Sequence, residues 1–272
     1  MVLASRVALL VAISACSGSK PKAVEDARHS QHPGDAGAGS AAVTAPTVPL
    51  GPYRVDASAK TGDVQIRVEW KDVPAALRAS PGPTPCGGPA RPAVSPTTTW
   101  GIPEALVSIE VDHGKALAPV APRVALENCE LSPRLAIAGT TLAIASAVEQ
   151  PQQVALAEVG HTPLGSPSTA GTPHTLLLPI VGHEVEAALT PGSIYSVSFG
   201  ASETSTVVAA TTPYVAITEP TGQVIVRDVP VGTHSVRAWL PKRGVLEART
   251  ATGTVTVTEG ALAEITVDIS VQ

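Results

Sequence analysis

From Asp63 onward the chain alternates between polar and apolar positions, with Val64, Ile66, Val68 and Trp70 separated by Gln65, Arg67 and Glu69. A period of two sends successive side chains to opposite faces of a pleated strand, so this stretch predicts a strand with one buried face. Shorter stretches of the same kind predict strands at 106–111, 134–138, 140–146, 152–159, 175–181, 184–189 and 194–199. Two long gaps, 79–101 and 160–173, are rich in Pro, Gly, Ser and Thr and predict surface loops, where function often resides. Beyond them the pattern is cleaner, with strands at 214–218, 223–226, 234–239, 253–258 and 262–269. Pro220-Thr221-Gly222 and Pro230-Val231-Gly232-Thr233 supply turns between the first three of these. Many short strands at close spacing predict an all-β fold of the sandwich or barrel kind.

Composition narrows this picture. Hydrophobic residues make up 44% of the chain but aromatics only 3% and charged residues 15%, so Val, Ala and Thr carry the apolar load. The 26 prolines and 23 glycines interrupt the chain too often for long helices, which excludes a helical bundle or coiled coil. With 18 Lys and Arg against 23 Asp and Glu, the net charge of −5 offers no basic surface for phosphates, and nucleic acid is excluded as an expected partner.

The N-terminus reads as an address. Arg6 precedes a short apolar run, 7–13, which is followed by Ser14-Ala15-Cys16 and then by polar Ser17-Gly18-Ser19-Lys20. That order describes a secretory signal over 1–15, and its apolar run is far below the ~20 residues a spanning helix needs. Ile13-Ser14-Ala15-Cys16 resembles the bacterial lipobox, which implies a lipoprotein acylated at Cys16, with the membrane as a partner through that anchor. Ser17 after the cysteine resembles enterobacterial sorting to the outer membrane. Residues 16–52 lack any apolar period and predict a flexible tether, in which His29 and His32 are read as solvated.

Two family resemblances follow from particular motifs. Ala216-Ile217-Thr218, Gly222-Gln223-Val224, Val229-Pro230-Val231-Gly232-Thr233-His234 and Val236-Arg237-Ala238-Trp239-Leu240-Pro241 resemble the prealbumin-like repeat of carboxypeptidase regulatory-like domains. The resemblance covers 213–272 and implies a small β-sandwich without catalytic residues. Asn128-Cys129-Glu130-Leu131-Ser132-Pro133-Arg134-Leu135, followed by Ala138-Gly139-Thr140-Thr141-Leu142, is similar to envelope cupredoxin-like proteins that precede such modules. It implies a cupredoxin-like sandwich over 53–212, but Gln152-Gln153-Val154 stands where a histidine ligand belongs.

Candidate chemistry is sparse. A blue-copper centre needs two imidazoles, a thiolate and usually a thioether; Met1 is the only methionine and no cysteine follows Cys129. No metal or other cofactor is therefore expected. With Cys16 set apart, Cys86 and Cys129 form an even pair in an oxidising compartment and are expected to bridge, contributing about 3 to 4 kcal/mol. His183-Glu184-Val185-Glu186-Ala187 begins like a zinc-protease motif, but Ala187 replaces the second histidine. His161, His174 and His183 flank the second loop and would have to converge to hold a metal; they are read as solvated. Hydrolase elbows, phosphate loops and dinucleotide turns are absent from the sequence, so no enzyme is expected. Trp70, Trp100, Tyr53 and Tyr195 could stack on sugars; Trp70 and Trp239 are expected as core anchors, which leaves Trp100 as the candidate ligand contact.

The reading is an all-β, non-enzymatic envelope lipoprotein with two β-sandwich domains on a lipid-anchored tether, binding an envelope protein or a glycan. The alternatives are a carbohydrate-binding module and a copper-carrier relative that has lost its metal.

Overall fold

Thr61–Glu69 is a strand in which half-buried and buried residues alternate without a break, and Val64, Ile66 and Val68 are wholly inaccessible. Around it the computed structural model describes residues 53–84, 86–161, 166–167, 173–200 and 204–270. Cys16, His29, His32 and the tether expected over 16–52 lie outside the described residues. The first segment supplies β1 (Arg54–Val55), β2 (Thr61–Glu69), the one-turn helix α1 (Ala75–Arg78), β3 (Leu106–Ile109) and β4 (His113–Gly114). The middle supplies β5 (Arg123–Glu127), β6 (Glu130–Ser132), β7 (Leu135–Ala138), β8 (Thr141–Ser146), β9 (Gln152–His161), β10 (Ser166–Pro167), β11 (His174–Leu178), β12 (Glu184–Ala188), β13 (Ser193–Ser198) and β14 (Thr204–Ala209). The last segment supplies β15 (Val215–Ile217), β16 (Gln223–Pro230), β17 (Gly232–Leu240), β18 (Arg249–Val257) and β19 (Leu262–Asp268). The fold is all-β, with sandwiched sheets.

The sheets do not divide at the 212/213 boundary expected from the sequence. β2 pairs antiparallel with β16 and parallel with β19, the latter in register from Leu262 opposite Asp63 to Asp268 opposite Glu69. β3 lies between β15 and β17, and β18 follows β17, giving the facing sheet. Each sheet of this first sandwich therefore takes an interior strand from the N-terminal segment and the rest from the C-terminal one. Without β2, strands β16 and β19 have no common neighbour to hydrogen-bond, so 213–272 alone leaves ladder groups unpaired. The middle strands form a second sandwich inserted between β4 and β15. One of its sheets runs β10–β9–β13–β14–β7, with β11 also on β9, and the other runs β12–β8–β5–β6.

Each sandwich has its own core. Val64, Ile66, Val68, Val107, Val236 and Val267 belong to the first, and Val124, Leu126, Ile144, Val154, Val197 and Val207 to the second. A third cluster joins them: Leu106 of β3 and Trp239 of β17 pack with Leu135, Ile194 and Val208 of the second sandwich. Two strands of the second sandwich are buried along runs of consecutive residues. β14 is buried at five consecutive positions, and β5 at three, which removes the alternation that marks a half-buried strand. Neither was predicted for that reason.

One glycine is required by close approach. Gly114 has φ +135°, and a Cβ placed there would lie 2.1 Å from the Tyr214 hydroxyl oxygen. Tyr214 is fully buried, its hydroxyl donating to the Asp228 carbonyl at 3.1 Å and accepting from the Lys115 amide at 3.1 Å.

Leu135, 3% exposed at the junction of the sandwiches, provides a test of this packing. Leu135→Ala is expected to lower unfolding free energy in urea by about 2 to 5 kcal/mol. Leu177→Ala, at a position 57% exposed, should change it by less than about 0.5 kcal/mol.

Candidate ligand-binding cleft

The Pro- and Gly-rich segment 79–101, expected as a surface loop, forms in part a wall between the two sandwiches. Cys86 within it is joined to Cys129 of the second sandwich, with Cα atoms 5.8 Å apart and a sequence separation of 43. Cys129 and Asn128 make the two-residue turn between β5 and β6, both with positive φ (63° and 50°), the backbone of a type I′ hairpin in which Asn is favoured. The expected disulfide is present, and it ties the segment between β2 and β3 to the inserted sandwich.

Arginines fix the same segment from both sides. Arg134, just before β7 and only 5% exposed, donates to the carbonyls of Pro92 (2.5 Å) and Arg91 (2.8 Å). Arg243, in the turn between β17 and β18, donates to the carbonyls of Ala93 (3.4 Å) and Glu104 (2.8 Å) and pairs with the Glu104 carboxylate at 3.3 Å. Arg91 reaches the second sandwich itself, through the Leu131 carbonyl at 2.7 Å and the Glu130 carboxylate at 3.0 Å. Charged hydrogen bonds of this sort contribute roughly 1.5 to 3 kcal/mol each.

Between these elements lies a cleft of about 780 Å³. One wall is α1 and the bound segment, with Ala76 from the helix and Ala79, Pro81 and Ala93 from the segment. The second is the face of β9, β13 and β14, with Val159, Ile194, Ser196 and Thr206. The third is Trp239 and the β17–β18 turn, with Lys242 and Val245. The basic side chains Arg91, Arg134, Lys242 and Arg243 line it, and none of the described lining residues is acidic.

The residues singled out in the sequence lie elsewhere or play other parts. Trp100 is 37% exposed with φ +65°, its amide bonded to the Thr97 carbonyl at 3.0 Å, beside a separate hollow lined by Arg78, Val94 and Thr97. Trp70 and Trp239 are buried, at 3% and 6% exposure, as expected of core anchors. Arg249 lies 4.2 Å over the Trp70 ring. Tyr195 is buried, its hydroxyl accepting from the Thr190 amide at 2.9 Å. His174 and His183 are exposed on β11 and in the turn before β12, and among the described residues no group of three His, Cys, Asp or Glu side chains gathers to hold a metal. Cys129 is committed to the disulfide and offers no thiolate.

His161 makes a row with Ser193 and Glu158, its ring nitrogens 3.4 Å from each. Ser193 is 1% exposed, so its hydroxyl cannot meet a substrate, and the row fixes the end of β9 against β13. Groups with displaced protonation lie in the first sandwich, outside the cleft walls. Burial pushes the Tyr53 hydroxyl up, with a hydrogen bond and charge interaction from Tyr214 adding to it. Hydrogen bonds from Ser58, His113 and Ser270 hold Asp56, Asp112 and Asp268 respectively below the usual carboxylate range.

Sequence reading missed the cleft residues Arg134, Ile194, Trp239 and Arg243 as a group. The one local signal was Arg134, a charge at the edge of a predicted apolar strand; the rest come together only through pairing of distant strands. No protein-family model, curated protein sequence or solved structure matches the chain.

The cysteine pair generates a direct check. Thiol labelling of denatured, unreduced protein should modify neither Cys86 nor Cys129, and labelling of both would contradict the bridge. Replacing both by Ser should lower stability by about 4 kcal/mol, the loop-closure value for a ring of this size.

Proposed function

We propose that the chain is a non-enzymatic, lipid-anchored protein of the bacterial cell envelope whose two sandwiches form a binding module, with the cleft between them as the ligand site. The observation that carries this reading is the cleft itself. Its volume falls in the roughly 300 to 1,000 Å³ range of small-molecule sites, and it sits at a junction of two folded bodies, where such sites concentrate. Its walls combine apolar side chains with a few basic ones. The His161 row has its only hydroxyl nucleophile buried, which favours binding over catalysis.

The envelope address is supported by Ile13-Ser14-Ala15-Cys16 and by the bridging of the other two cysteines to each other, a pairing suited to an oxidising compartment. Within this proposal the inserted sandwich is a cupredoxin-like domain without its metal, and the other is a prealbumin-like domain completed by β2 and β3. The outer membrane is the proposed site of the anchor, and an envelope protein or glycan the proposed partner. A second reading, a carbohydrate-binding module, has its support in the partly exposed Trp100 beside the small hollow.

The anchor is tested by Cys16→Ser in cells. Membrane and soluble fractions are compared by blotting, and acylation by metabolic labelling with a fatty acid. The variant should lose the label and move to the soluble fraction; retention in membranes without label contradicts a lipid anchor at Cys16.

A further inference from the structure

The cleft carries two features that bear on what it could hold. Val245 is 80% exposed and Val159 45% exposed, and both face this space from different sandwiches, one on the β17–β18 turn and one on β9. Exposed apolar side chains around a concave floor mark a surface that gains by being covered. The floor between them is apolar, with Trp239 and Ile194 at 6% and 3% exposure.

The second feature is charge. Four basic side chains line the cleft and none of its described lining residues is acidic, in a protein whose net charge is −5. Arg91 and Arg243 have carboxylate partners in Glu130 and Glu104. Arg134 and Arg243 are held by backbone carbonyls of the braced segment. Lys242 is the most open of the four, and its partner Glu247 is 77% exposed, so an anion can replace that weak surface pair.

We infer that this cleft takes a single-chain anionic amphiphile, a free fatty acid, with its alkyl chain covering the exposed Val159 and Val245 on either side of the cleft and its carboxylate received by Lys242 in exchange for Glu247. The inference rests on the reading of the cleft as the binding site. The match is of shape and charge together. Covering exposed apolar side chains favours a long alkyl chain, and the Lys242 ammonium selects an acid head over a neutral one. A sugar fits less well, because the one indole in the lining, Trp239, is almost wholly buried and has no free face for stacking.

The test uses the full chain carrying Cys16→Ser, so that its own acyl groups do not compete. Displacement of a dansyl-labelled undecanoic acid is measured with dodecanoate and with dodecanol. Dodecanoate should displace the probe saturably and at least tenfold better than dodecanol. Lys242→Glu should weaken dodecanoate at least tenfold and leave dodecanol unchanged, while Val245→Glu should weaken both. A fatty acid brominated on its chain should quench tryptophan fluorescence in the parent protein, and Trp239→Phe should remove that quenching while Trp70 and Trp100 still emit. Circular dichroism of each variant confirms that it is folded. Equal binding of dodecanol and dodecanoate, or dodecanoate binding unchanged by Lys242→Glu, overturns the fatty-acid inference and leaves the cleft as a binding site. Absence of saturable binding by the probe, the acid and the alcohol alike overturns the inference and the reading beneath it.

Discussion

Three consecutive backbone carbonyls, those of Arg91, Pro92 and Ala93, are held by guanidinium groups from the two different sandwiches, and the rest of the molecule is arranged around that bracing. A segment rich in Pro and Gly has few ladder partners of its own, so its polar backbone must be satisfied from outside before it can be placed between two folded bodies. Arg134 and Arg243 meet that need, and the Cys86–Cys129 bridge fixes the other end of the segment to the inserted sandwich. The junction cluster of Leu106, Leu135, Ile194, Val208 and Trp239 adds apolar contact beside the braced segment. The cleft is the space left where the segment, the β17–β18 turn and the β9–β13–β14 face meet.

The inserted arrangement explains how so aromatic-poor a chain builds two cores. Val and Ile on β2 and β17 and their counterparts on β8 and β13 are short, stiff and suited to pleated surfaces, so sheets pack closely with few large rings. Those few are spread over the clusters, Trp70 and Tyr214 in the first core, Tyr195 in the second and Trp239 at the junction. A buried indole in the junction keeps the two sandwiches in one arrangement, and a single arrangement is what a preformed binding cleft requires.

Local pattern made much of this legible. β2, β8, β9, β13 and β17 stand close to their predicted positions, and in β2 and much of β9 burial alternates with a period of two. The parity of the cysteines anticipated the Cys86–Cys129 bridge. β5 and β14 were not legible, since burial on both faces removes alternation: β5 is a short apolar run, and β14 buries Ser205 and Thr206 beside Val207 and Val208. The pairing of β2 with β19 was not legible either, because two strands some two hundred positions apart carry no local sign of each other. The cleft inherits that difficulty: Arg134, Ile194 and Trp239 are ordinary strand or turn residues until distant pairings bring them together.

If the bracing at 91–93 makes the two sandwiches one cooperative body, the most direct test is native-state hydrogen exchange across increasing urea. Amides of β2, at the centre of the first sandwich, and of β13, at the centre of the second, are then expected to merge onto one opening transition of equal free energy. Arg134→Met should separate the two. Two independent transitions in the parent protein, with β13 opening while β2 stays closed, would contradict the account.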